Sequence, residues 1–231
     1  METKQVLRAV FFDLDGTLLY TLPDIARAVN HALKKNSLPM HKVEAYREIV
    51  GWGLSMTIRK AVPADITDPS VLDKIRRDMK IEYSAHPVVD TVPYPGIINM
   101  LHAFQDLHIP MGIISNKDHS LTSVIVKKVL HDFTFAGVCG SSSQIPPKPD
   151  TTGIRQLMAD TGLEAGEILF VGDTSIDMQT ALAVGAYPLG VSWGYRTTKE
   201  LRDAGAAGVA DSPEDIVIHF SEMMLDRAAD A

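Results

Sequence analysis

Residues 13–110 separate the first two strand-like runs of this chain, whereas a right-handed crossover between parallel strands needs little more than a dozen residues. Short apolar runs that stop abruptly at polar or glycine residues occur at 6–12, 111–114, 135–139, 168–171 and 188–191. Runs of that length bounded by breakers read as strands buried on both faces, the pattern of a parallel sheet. From the second run onward they alternate with amphipathic stretches of helical period at 97–107, 121–130, 154–158 and 178–184. The alternation predicts an α/β fold, and the long first gap predicts an insertion.

The gap itself carries no strand-like alternation. Residues 23–35, 43–50, 54–61 and 71–85 have helical patterning, with Pro39, Pro63, Pro69 and Pro87 as punctuation. The expected organisation is therefore a doubly wound, Rossmann-like parallel-sheet core formed by residues 1–19 and 88–231, with an α-helical cap domain at 20–87 set into the loop after the first strand.

A formal net charge of −7 argues against the clustered Lys and Arg of a nucleic-acid footprint. An acidic protein acting on an anion must then concentrate positive charge locally, from a metal ion, a lysine or backbone N–H groups. The single cysteine, Cys139, has no partner for an intramolecular disulfide, fits a reducing compartment, and reads as a small apolar residue in a strand. The first twelve residues lack the apolar core of a signal peptide, and no stretch approaches the roughly 20 apolar residues of a membrane span. A cytoplasmic protein with no membrane and no nucleic-acid partner is expected.

In open α/β sheets ligands bind at the carboxyl ends of the strands. Here those ends carry Asp13-Leu14-Asp15-Gly16-Thr17, Ser115-Asn116-Lys117, Pro147-Lys148-Pro149-Asp150 and Gly172-Asp173-Thr174-Ser175-Ile176-Asp177. A hard ion such as Mg²⁺ takes oxygen ligands, of which one or two are protein carboxylates; Asp13 and Asp173 suit it. With a metal and Lys148 offsetting charge repulsion, the Asp13 carboxylate can attack a phosphate monoester at phosphorus. Asp15 then serves as acid to the leaving alkoxide and as base to water. Ser115 and Asn116, with Gly16 and Thr17 at the first turn, are expected to bind the phosphate oxygens. Asp177, near the start of the 178–184 helix, is open to capping it, holding a metal-bound water or pairing with Lys148.

These motifs and their order resemble those of the haloacid dehalogenase-like hydrolase superfamily over essentially the whole chain. Within it, Gly51-Trp52-Gly53, Tyr94-Pro95-Gly96, Ser115-Asn116-Lys117 and Ser192-Trp193-Gly194-Tyr195 are similar to the phosphoglycolate phosphatase-like group. The resemblance implies Asp13 as nucleophile, Asp15 as acid and base, Lys148 as charge stabiliser, and Mg²⁺ held by Asp13, Asp173 and the backbone carbonyl of Asp15. An acid at Asp15 favours phosphoryl over carbon–halogen chemistry. Asp118 and Asp150-Thr151-Thr152 stand where that group commonly has proline.

The substrate implied is a small phosphorylated metabolite, phosphoglycolate first. A phosphomutase, a pyrophosphatase, a phosphonate hydrolase or a non-catalytic binding module on the same scaffold are the alternatives, and a monomer and a homodimer are both open. Trp52 and Arg59 are candidate cap contacts to the leaving group, set against a core or surface role. Arg196 is expected as a solvent-facing loop charge.

Overall fold

The computed structural model describes residues 7–225. Val6, expected at the start of the first strand, lies outside the described residues, as do residues 226–231 of the expected core. In chain order come β1 (Ala9–Phe12), β2 (Leu19–Tyr20), α1 (Leu22–Lys35), α2 (Tyr46–Ile49), α3 (Leu54–Ala61), α4 (Pro69–Ala85) and β3 (Val92–Pro93). They are followed by α5 (Ile97–Asp106), β4 (Met111–Asp118), α6 (His119–Val129), β5 (Gly137–Ser141), α7 (Thr152–Thr161), β6 (Ile168–Gly172) and α8 (Ser175–Val184). The chain closes with β7 (Tyr187–Val191), α9 (Thr198–Asp203), β8 (Gly208–Ala210) and α10 (Pro213–Leu225).

Six strands form one sheet in the order β5-β4-β1-β6-β7-β8, every pairing parallel. The most apolar strand, β1, is central and fully buried. Alternation along it divides the core between two faces. Val10 and Phe12 pack with Phe104 of α5, Ile125 of α6 and Phe220 of α10, whereas Ala9 and Phe11 pack with Ile154 and Leu157 of α7 and Ala181 of α8. Truncating either phenylalanine to alanine costs about 3–5 kcal/mol, because strands on both sides prevent collapse of the cavity. Phe12 pairs with Ile113 of β4 and Val171 of β6, so Asp13, Ser115 and Asp173, one or two residues further on, stand at the same end of three neighbouring strands.

Helices α1 to α4 occupy the long gap. Along α1, Ile25, Ala28, Val29 and Ala32 form a buried stripe at helical spacing; Asp24 lies in its first turn and Lys34 and Lys35 in its last, each favourable to the helix dipole. The stripe faces α4, whose Ile75, Met79 and Tyr83 are buried. The predicted helix at 43–50 is instead a 3₁₀ turn (Val43–Ala45) followed by the single turn α2. It stops at an extended Val50 before Gly51 and Gly53, which adopt φ values of 104° and 83° that only glycine takes freely.

Two features were not foreseen. Strand β8 is three residues of Gly, Val and Ala and presents no apolar run, and the antiparallel pair β2–β3 joins Leu19 to Pro93 and Tyr20 to Val92 where the chain leaves and re-enters the core. The predicted strand at 135–139 lies slightly later, at Gly137–Ser141. No described helix is long and apolar enough to cross a membrane.

Candidate active site

The strand tips bring three carboxylates together around one ammonium. Asp13 extends β1, its N–H donating to Val171 O at 2.9 Å, and Asp173 follows β6. Lys148, whose peptide to Pro149 is cis, donates from Nζ to Asp13 Oδ1 at 2.6 Å, to Asp177 Oδ1 at 2.6 Å and to the Ile114 carbonyl at 2.9 Å. All three of its N–H bonds are engaged. Oxygens of Asp13, Asp173 and Asp177 lie within 4.8 Å of one another, and all three residues are buried.

One positive charge against three negative ones leaves a surplus that burial makes costly. Burial, with the Asp177 and Asp173 charges adding to it, pushes the Asp13 carboxyl well above the ordinary range despite Lys148. Asp173 is raised to about 7, by burial first and by Asp177 next. Burial disfavours the Lys148 ammonium, but Asp13 and Asp177 outweigh it and hold its pKa above the ordinary lysine range.

Asp177 combines two of its expected roles. Its Oδ2 accepts from Thr174 N at 3.0 Å and Thr174 Oγ1 at 2.7 Å, closing a capping box at the start of α8, while its Oδ1 takes Lys148.

Asp173 is held by the Ser192-Trp193-Gly194-Tyr195 segment. Tyr195 N donates to its Oδ2 at 2.7 Å, and Thr17 Oγ1 donates to its Oδ1 at 3.2 Å. Trp193 Nε1 donates to Thr17 O at 3.0 Å, tying this segment to the first turn. Gly194 and Gly16 approach Asp173 so closely that a Cβ at either would overlap its side chain. Gly16 and Thr17, expected to bind phosphate, are thus packed against Asp173 and do not line the cleft.

Asp15 sits apart from the carboxylate cluster with a lysine of its own. Lys117 Nζ lies 2.7 and 2.8 Å from the two Asp15 carboxylate oxygens and donates to Tyr83 Oη of α4 at 2.9 Å. Thr21 Oγ1 donates to Asp15 Oδ1 at 2.6 Å. Burial opposes the Lys117 charge, yet Asp15 and then Tyr83 keep its pKa above the ordinary range; burial also pushes the Tyr83 hydroxyl up to about 12. Sequence reasoning placed Lys117 in its motif without a role. Its spacing of two from Ser115 on an extended segment, which puts both on one side, was the available signal.

Ser115 and Asn116 both line the cleft. The Asn116 amide is committed, however: Oδ1 accepts from Lys148 N at 2.6 Å, and Nδ2 donates to Lys148 O at 3.1 Å and to Gly51 O at 3.2 Å. It fixes the lysine backbone and touches the helical segment. The two candidate cap contacts do not reach the cleft wall. Arg59 donates to Ile66 O at 2.8 Å and Ala64 O at 2.9 Å, and Trp52, 41% exposed, stacks under Lys60 Nζ at 5.1 Å. Arg196, expected in solvent, is buried and donates to the carbonyls of Arg47 and Val50, joining the β7 tip to α2.

These groups open into a cleft between the sheet tips and helices α1, α3 and α4, with about 690 Å³ of non-protein space, part of it open to solvent. Asp13, Asp15, Ser115, Lys148 and Asp177 line its floor. The carboxylate cluster fits a divalent cation by its chemistry: hard oxygen donors, buried, with negative charge that one ammonium does not balance.

Residues 10–191 match the family model described as haloacid dehalogenase-like hydrolase. Curated relatives include a phosphoglycolate phosphatase of Pseudomonas putida, 31% identical over 228 residues, covering 96% of this chain and 80% of that protein. One from Mesorhizobium japonicum is 27% identical over 222 residues, covering 95% and 97%. Among solved structures, a haloacid dehalogenase-like family hydrolase from Streptococcus pneumoniae superposes with a TM-score of 0.82 at 25% identity, covering 93% of this chain and 98% of that one.

Proposed function

The chain belongs to the haloacid dehalogenase-like hydrolase family, and from that premise we propose that it is a magnesium-dependent phosphatase that cleaves a small phosphate monoester through an aspartyl-phosphate on Asp13. The observation that carries this proposal is the Lys148 ammonium bridging Asp13 and Asp177 on the floor of an open cleft, with the buried Asp173 completing their carboxylate cluster. Among the described residues no hydrogen bond engages Asp13 Oδ2, so one oxygen of a cleft-lining carboxylate is unencumbered while the other is fixed by Lys148.

In this mechanism Asp13 attacks phosphorus and the ester P–O bond breaks. Asp15 delivers a proton to the departing oxygen, then takes one from the water that attacks the aspartyl-phosphate, so that inorganic phosphate leaves and both carboxyl groups are regenerated. Lys148 holds Asp13 in place and offsets phosphate charge; the Ser115 hydroxyl and strand-tip N–H groups at Ser115 and Asn116 donate to the transferring oxygens. Asp13 and Asp173, with the Asp15 carbonyl, would hold Mg²⁺, and Asp177 would orient the set from behind. When bound, the cation supplies positive charge against the phosphoryl oxygens and lets two anions approach.

Phosphoglycolate is the substrate in the relatives' names and heads the assay panel. Phosphate release from a panel of small esters tests the activity. Turnover should vanish in Asp13→Asn with the fold intact, and after exhaustive chelation. Substantial activity in that variant would exclude covalent catalysis by Asp13, and activity without divalent ions would exclude the metal.

A further inference from the structure

Tyr195, in the loop after β7, reaches two of the proposed working groups from one residue. Its backbone N–H donates to Asp173 Oδ2 at 2.7 Å, and its buried hydroxyl lies 3.2 Å from Thr21 Oγ1. Thr21 Oγ1 in turn donates to Asp15 Oδ1 at 2.6 Å. A threonine hydroxyl has one proton, and Asp15 takes it here, so the tyrosine is the donor in the bond between the two hydroxyls. We infer that Tyr195 is a positioning residue for the proposed acid and base: acting through Thr21, its hydroxyl sets where the Asp15 carboxyl group stands, while its N–H holds Asp173. The inference rests on the phosphatase proposal and adds a residue to that same site.

The behaviour of Thr21 supports it. Thr21 is the N-cap residue of α1, a position where a threonine ordinarily accepts from an N–H of the first helical turn. Its side chain makes no such bond. Pro23, the second residue of the helix, has no N–H to offer, and the hydroxyl is committed to Asp15 and Tyr195. Thr21 is fully buried, so without the tyrosine its oxygen loses a donor that solvent is not there to replace, and the hydroxyl is held at one end only.

The tyrosine is itself fixed. Its ring packs on Gly16, where a Cβ would come within 2.9 Å of the ring. Trp193, two residues earlier, donates to Thr17 O, and Arg196, the next residue, is held by the Arg47 and Val50 carbonyls. Asp15 is thus located from two sides: Lys117 grips it with support from Tyr83 of α4, and the Thr21–Tyr195 chain reaches it from the loop after β7. Neither Thr21 nor Tyr195 lines the cleft, so an effect of either on turnover passes through the groups they hold.

The test measures kcat/KM of wild type and Tyr195→Phe on two esters, using the full chain with Mg²⁺. One is phosphoglycolate, or the fastest alkyl ester of the panel where phosphoglycolate is not turned over; the other is p-nitrophenyl phosphate. An alkoxide needs a proton as it departs, whereas p-nitrophenolate needs far less, so a misplaced acid lowers the first reaction selectively. The loss should be about tenfold greater on the alkyl ester, the low end for a group that orients a reacting one. Mg²⁺ affinity, read by calorimetric titration, should not change, because the substitution keeps the N–H on Asp173. Thr21→Val removes the middle hydroxyl and should give the same selective loss, to which Tyr195→Phe adds less than about twofold; Thr21→Ser, which keeps a hydroxyl, should restore the alkyl ester. Unchanged kinetics in Tyr195→Phe, equal losses on both esters, a lowered Mg²⁺ affinity or additive effects of the two substitutions would each overturn the inference and leave the phosphatase proposal standing. So would a wild type that cleaves p-nitrophenyl phosphate and no alkyl ester, since it uses no acid that Tyr195 could position. Failure of the wild type to release phosphate from any ester overturns the phosphatase proposal, and the inference with it.

Discussion

Lys117 grips both carboxylate oxygens of Asp15, at 2.7 and 2.8 Å, and reaches α4 through Tyr83 with its third hydrogen bond. The proposed acid and base is thereby held by a lysine that itself depends on the helical segment being in place. Lys117 is a positioning residue. Lys117→Met should lower kcat by about 10–100-fold, the range found for groups that orient a reacting one. Asp15→Asn removes the proton donor itself and should cost about 10²–10⁴-fold. Steady-state kinetics on one ester decide it, and a Lys117→Met enzyme with wild-type kcat would remove the lysine from the mechanism.

Lys148 is the sole ammonium, among the described residues, bonded to the Asp13–Asp173–Asp177 cluster. Replacing it by methionine leaves buried carboxylates without their partner, a loss of about 3–5 kcal/mol when one member of a buried pair is removed. Urea denaturation of metal-free protein should show that loss, and activity should fall by about 10²-fold or more. A stability change below about 1 kcal/mol would mean that the three acids do not share this charge.

Gly194 lies against Asp173 with no room for a side chain. In Gly194→Ala the added methyl group must displace the carboxylate or the loop, an overpacking cost of about 1–3 kcal/mol. Because Tyr195 N, one residue on, donates to the same carboxylate, the effect should fall on the proposed metal site. Calorimetric titration with Mg²⁺ should show affinity lowered by about tenfold or more. Unchanged affinity would place the ion elsewhere.

The fold class was legible because strand and helix leave different marks. Phe11, Phe12 and the 168–171 run are apolar on every residue, the pattern of a strand covered on both faces, and the acids directly after them fall at strand tips. Asp13 and Asp173 lie together because parallel pairing sets β1 beside β6, and Asp177, in the first turn of α8, and Lys148, in the loop after β5, join them there. Partners set by the tertiary fold left no such mark. Arg196 reads as a surface charge until Arg47 and Val50, far earlier in the chain, supply carbonyls for it. Tyr83 lies within the stretch 71–85 that patterning marks only as helical, and its partner Lys117 arrives from another element. Strand β8 has too few apolar residues to stand out, and its existence follows from the open edge of β7.

Asp24 secures the place where the helical segment leaves and rejoins the sheet core. From the first turn of α1, its Oδ2 accepts from Val89 N at 3.0 Å, Asp90 N at 3.1 Å, Thr91 N at 2.9 Å and Thr91 Oγ1 at 2.7 Å. Burial works against the carboxylate, but the bonds from Thr91, Val89, Asp90 and Arg27 outweigh it and hold its pKa below the ordinary value of 3.8. A carboxyl group with a depressed folded-state pKa releases its proton more readily folded than unfolded. Its contribution is therefore complete above the ordinary value and disappears as the pH falls through the folded one. Asp24→Asn should destabilise the protein at neutral pH by about 1.5–3 kcal/mol, the worth of hydrogen bonds to a charged acceptor. The gap to wild type should narrow as the pH falls below 3.8. Paired urea melts across that range measure it; a gap independent of pH would show that the charge on Asp24 contributes nothing and that shape alone holds the junction.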